Sequence, residues 1–238
     1  MTKHSGSRHL SCALLAAPLA ALLTGIAWAA TPGTPGSAAT RFGHYFMVSR
    51  TGEMTLARSA APASISARAA VLILGAHGYV KAANGSNGFV CIVERSWANS
   101  LSAKRASFWN AKFRAPICFN AAAARSVLPR YLMRTRWVLA GASRSEMRRR
   151  TEAASAAGER EEPLAGAMSY MMSRRGRGIG GSGPWRPHLM FYFPRAQTPV
   201  WGANLRGAPV FSAASGATTI FFVLVPAWSD GTPAPRFK

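Results

Sequence analysis

Cys91 and Cys118 constrain this chain more than any other pair of residues. The third cysteine, Cys12, lies in an N-terminal stretch that reads as a removable leader, so two remain. An even count in an exported chain favours a disulfide, because an oxidising compartment leaves free thiols exposed to oxidation. Such a bridge closes a loop of about 27 residues and ties two distant segments into one folded unit. The alternative is a Cys91 nucleophile with His77 or His188 as its base. The stretch NGSNGFVCIVER, Asn84 to Arg95, argues against activation. On a strand, Cys91 shares a face with Phe89 and Val93 while Val90, Ile92 and Glu94 take the other. An apolar setting raises a thiol's pKa. No C-x-x-C is present.

The leader reading rests on three parts. Lys3 and Arg8 give a positive start, Leu10 to Ile26 is apolar and uncharged, and Ala27-Trp28-Ala29 offers small residues where a signal peptidase needs them. Cleavage is expected between Ala29 and Ala30. An uncleaved anchor spanning Leu10 to Ala30 is the alternative, which Pro18 and Gly25 weaken. Cys12 stands at the front of the apolar region, where a lipidated cysteine would not. Thr31 to Thr40, TPGTPGSAAT, reads as a disordered linker, and residues 41–238 as one domain. The expected location is periplasmic or secreted.

The pattern after the linker predicts an α+β fold, with a small, mostly antiparallel sheet, two or three helices and one disulfide. RFGHYFMVSR, Arg41 to Arg50, reads as a first strand. Ser59 to Leu74 reads as a helix, with Ile65, Ala69, Leu72 and Ile73 on one face. Tyr79 to Ala83 and Phe89 to Glu94 flank NGSNG as a hairpin, since Asn and Gly tolerate positive φ. Trp97 to Asn120 looks irregular. Ser126 to Ala140 reads as a helix with Pro129 in its first turn, ended by Gly141. Ser143 and Glu146 match a capping box opening a polar helix to about Ala157. Ala167 to Ser173, His188 to Phe193 and Thr219 to Val225 read as strands, separated by Gly/Pro-rich stretches.

Charge is lopsided: 29 Lys and Arg stand against 8 Asp and Glu, a formal net charge of +21. Such an excess attracts polyanions such as nucleic acid, anionic lipid or acidic glycan. It equally follows from an Arg-, Ala- and Gly-rich composition with no functional meaning. The scarcity of acids disfavours carboxylate-pair chemistry and sites for hard cations. Arg95 to Arg114 interleaves Arg95, Lys104, Arg105, Lys112 and Arg114 with Trp97 and Trp109, a pattern that can bind phosphates and stack bases. A loop that buries its rings and solvates its charges has the same pattern. The mature histidines, His44, His77 and His188, have no partner at metal-ligand spacing. The G-x-G-x-x-G at Gly178 to Gly183 lacks room for a helix before Pro184, so no dinucleotide cofactor is read from it.

HGYVKAANGSNGFVCIVER and AMSYMMS followed by PWRPHLMFYFP resemble segments of a family of uncharacterised bacterial exported proteins. In that family an Asn-Gly-Phe-x-Cys hairpin precedes a second Cys and, later, a Pro-His-x-Met-Phe-Tyr strand. The matching positions are Asn87 to Cys91, Cys118, and Pro187 to Tyr192. The resemblance implies export and a folded domain, and carries no activity. The expected role is non-catalytic binding or structure in the envelope. A polyanion binder, and a hydrolase using His188 or His77, are the other readings.

Overall fold

In the computed structural model, which describes residues 41–98, 101, 105–157, 162–178, 185–195 and 201–235, the apolar run after Arg68 is a strand rather than a helix. β1 (Ala70–Gly75) sits between β2 (Gly78–Ala83) and β3 (Val90–Glu94). A short apolar run fits both templates. Here the burial of Val71, Ile73 and Leu74, with layers on both sheet faces, decides for the strand. Only Ala63–Ser66 of the expected helix is helical. The first regular helix lies earlier, α1 (Arg50–Arg58), where a strand had been expected to end. Ser49 caps it by accepting from the Gly52 N–H at 2.9 Å, and Glu53, Leu56 and Ala57 form its buried stripe. Arg41 to Tyr45 is helical turn rather than strand.

The expected hairpin is also corrected. β2 and β3 do not pair with each other. β1 pairs antiparallel with β2 and parallel with β3, so NGSNG is a crossover passing the start of β1. Its glycines are used for that passage. A Cβ on Gly85 would stand 2.1 Å from the Ala70 nitrogen, and Gly88 has φ +76°. The tight turn of the region is instead at Ala76-His77.

The sheet runs on through β4 (Ala115–Phe119), β5 (Met168–Met171), β6 (His188–Pro194), β8 (Thr218–Leu224) and β7 (Val210–Ser215), in the order β2-β1-β3-β4-β5-β6-β8-β7. Eight strands make it larger than the small sheet expected, and the β1–β3 pair makes it mixed. β4 and β7 lie in stretches that read as irregular. α4 (Ala121–Ser126) and α5 (Leu128–Leu139) cover one face, with Pro129 in α5's first turn and Gly141 at φ +90° beyond its end. α6 (Arg144–Ala156) opens as its capping box predicts, the Glu146 N–H donating to Ser143 Oγ at 3.1 Å. The remaining helices, α2 (Ala63–Ser66) and α3 (Arg105–Phe108), are single turns.

Cys91 and Cys118 face each other across the β3–β4 ladder, their sulfurs at bonding distance, 1.94 Å. They lie under α1, among Leu56, Ala57, Val71, Ile73 and Val93. Breaking this bridge by Cys91→Ala/Cys118→Ala is expected to lower unfolding free energy by about 3.5 kcal/mol through the freed unfolded chain. Urea denaturation of the pair variant against wild type measures it. Among the described residues no helix is long and apolar enough to cross a membrane. The expected leader, its expected cleavage between Ala29 and Ala30, and the expected linker lie outside the described residues.

Candidate functional site

Alternation along β3 puts Val90, Ile92 and Glu94 on the face beneath α5, opposite to Cys91 and Val93. Across the ladder Glu94 pairs with Ala115, whose methyl group leaves space beside the carboxyl. The register carries the same face through Ile117 and Met171 to His188 and Met190 on β6, and to Ile220 and Phe222 on β8. Above it, α5 contributes Arg130 and Tyr131. Trp185, just before β6, closes one side and donates its Nε1–H to the Met171 carbonyl at 3.3 Å. These groups enclose a cavity of about 410 Å³ whose wall includes Glu94, Phe113, Arg130, Tyr131, Trp185, His188 and Phe222. Its far edge is β7, with exposed Ala213 and Ala214.

The polar groups are set by burial. Glu94 is 6% exposed, and no described residue donates a hydrogen bond to its carboxyl. Burial pushes that carboxyl up to about 8, the charges of Arg130 and Arg134 pulling it back only in part. His188 is buried too, and burial holds its imidazole below the ordinary value against a bond to the Arg186 carbonyl. That carbonyl, 2.7 Å from Nδ1, can only accept, so Nδ1 carries the proton and Nε2 is left as an acceptor. Burial raises Tyr131 to about 12, with the charge of Glu94 adding to it. At neutral pH the pocket therefore holds a protonated carboxyl, a neutral imidazole, a phenol and the Arg130 guanidinium. Arg130 makes one long hydrogen bond, to Ser215 Oγ at 3.4 Å, and lies over the Tyr131 ring at 5.8 Å. It also lines a neighbouring cavity of about 340 Å³ that includes Arg125, Arg136 and Glu162.

The residues expected from the sequence are distributed differently. His188 is in the pocket. His77 is exposed in the β1–β2 turn and is not among the pocket's lining residues. Cys91 and Cys118 are bonded and on the other sheet face, which removes the thiol that a Cys91 nucleophile needs. The basic, aromatic segment turns inward. Arg95 is 0% exposed, its Nη2 on Glu53 Oε1 at 2.8 Å, its Nε on the Tyr45 carbonyl at 3.0 Å and its Nη1 on the Val93 carbonyl. Trp97 is buried with Nε1 donating to Thr135 Oγ1 at 3.0 Å. Trp109 meets Phe108 edge to face at 4.7 Å. Arg114 donates to the Tyr45 and Phe113 carbonyls at 3.0 and 2.8 Å, and burial lowers it to about 10. Lys112 is exposed, and Lys104 and the Arg105 side chain lie outside the described residues. Arg95, Trp97 and Arg114 thus fasten the segment 42–46 and α1 to the sheet.

Glu94, Arg130, Tyr131 and Trp185 were not singled out by sequence. One signal existed for Glu94: it is one of eight acids and extends the apolar stripe Val90–Ile92. Among the described residues no group of three or more His, Cys, Asp or Glu could hold a metal ion. No protein-family model, curated protein or solved structure matches this chain.

Proposed function

We propose that this chain is an exported domain that binds a small, largely apolar molecule in the cavity beneath α5, with Glu94 and His188 as its polar contacts. One observation carries the reading: the carboxyl of a largely buried glutamate, with no hydrogen bond from a described residue, faces an aromatic-lined cavity. A molecule bound there can exchange with that carboxyl a hydrogen bond that the described wall does not supply. The cavity's volume lies within the range of ligand pockets, and its wall has their usual composition, mostly apolar with a few convergent polar groups. The bonded cysteine pair, the leader and the resemblance support export.

The test uses Nile red, a neutral apolar dye, and a blocked pocket. Ala213 lies at the exposed rim, so Ala213→Trp fills the mouth without disturbing the core. Wild type is expected to bind the dye with bright emission, and Ala213→Trp to lose most of that signal while unfolding at the same urea concentration. Equal binding by both proteins would remove the pocket from the account.

A catalytic reading draws on the same residues. A protonated Glu94 and a neutral His188 are an acid and a base in one cavity. It is second because the serine hydroxyl on the wall, Ser215 Oγ, meets Arg130 at 3.4 Å rather than His188.

A further inference from the structure

Resting on the pocket reading, we infer that the ligand is an apolar molecule ending in a single carboxylate, held by the Arg130 guanidinium and the Glu94 carboxyl, with its body against Trp185, Phe113 and Phe222. The charge on the wall selects the head group. Arg130 is on the wall, and Arg134 acts on Glu94 electrostatically from beyond it, so a cationic ligand would meet like charge. Arg130 spends one donor on a long bond to Ser215 and has guanidinium N–H groups to offer. A carboxylate accepts two such bonds side by side, as well as one from the Glu94 O–H. The rest of the wall is mostly aromatic and aliphatic, with Tyr131, His188 and Ser215 as its other polar side chains and no second cation among its described residues.

The head group makes binding depend on the Glu94 proton. The groups facing Glu94 are Arg130, Tyr131 and Arg134 from α5, His188 and Tyr192 from β6, and Tyr79 from β2. Burial keeps Tyr79, Tyr131 and Tyr192 protonated and His188 neutral across the neutral and mildly basic range. Glu94 alone titrates near pH 8. Above that pH it becomes an anion beside the ligand's anion, and affinity falls.

Displacement of Nile red by decanoate, decanol and decylamine at pH 7 and pH 9 tests this. Decanoate is expected to displace the dye at about tenfold lower concentration than decanol at pH 7, and decylamine to be weakest. The decanoate advantage shrinks at pH 9 in wild type. In Glu94→Gln it persists at both pH values, because the amide donates without titrating. Arg130→Gln removes it at both. Equal potency of decanoate and decanol, stronger displacement by decylamine, or no displacement by any of the three would overturn the carboxylate assignment. Dye binding blocked by Ala213→Trp would still stand for the pocket in those cases. Failure of the dye itself to bind, together with failure of decanoate, would remove both.

Discussion

Glu94→Gln is expected to stabilise the folded chain, and to do so more strongly as pH rises. In the folded protein the carboxyl holds its proton up to about pH 8, against an ordinary value of 4.5 when the chain is unfolded. Between those values the folded state carries the extra proton. Wild-type stability is therefore greatest below about pH 4.5 with respect to this group, falls through the window, and reaches its floor above pH 8. The full difference is on the order of 5 kcal/mol. Glutamine has the same shape and no proton to lose, so the variant has no such slope. Denaturant midpoints at pH 5, 7 and 9 should show the two proteins converging at the acid end and separating at the basic end. A constant offset across the series would mean that Glu94 is solvated and ionised in the folded protein. Few substitutions at a binding group raise stability, and one that does so while altering ligand response marks a residue retained for function.

Glu53→Ala is expected to have the opposite effect, a loss of about 4 kcal/mol, because it leaves Arg95 charged and sealed from water. Glu53 Oε1 accepts from Arg95 Nη2 at 2.8 Å and from the Leu74 N–H at 3.1 Å, so one oxygen joins α1, β1 and the end of β3. The remaining Arg95 donors go to the Tyr45 and Val93 carbonyls, which satisfy its hydrogen bonds but carry no full charge. Against a typical domain stability of about 5–15 kcal/mol, the loss is a large fraction. Glu53→Met combined with Arg95→Met should recover much of it, since removing both charges removes the burial penalty along with the attraction. Urea midpoints for the single and double variants measure both effects. A single variant within about 1 kcal/mol of wild type would contradict a dry environment for the pair.

These two glutamates show what the sequence revealed and what it withheld. The capping box at Ser143, Pro129 in its helix and the strands at Met168, His188 and Thr218 are local signals, written in neighbouring residues, while the disulfide followed from the count of cysteines. The order of the strands is not local. NGSNG has the chemistry of a hairpin turn, yet β1 lies between the strands that it connects, and the needed close approach of Gly85 to Ala70 is a property of the folded sheet. AVLIL reads as helix or strand until both its faces are seen to be covered. Arg95 to Arg114 has the composition of an anion-binding surface, but Glu53, 42 residues upstream, and the carbonyls of Tyr45 draw Arg95 and Arg114 inside. Of the pocket, His188 alone was readable. Glu94 joins it only because β4 and β5 carry one sheet face from β3 to β6, and β4 lay within a stretch that looked irregular.

The most direct measurement is the ¹³C chemical shift of the Glu94 side-chain carboxyl across pH, assigned by its loss in Glu94→Gln, with and without decanoate. A midpoint near 8 in the free protein, moving higher when decanoate is bound, is the predicted result. A midpoint near 4.5 that decanoate leaves in place would contradict both the buried carboxyl and the ligand site built on it.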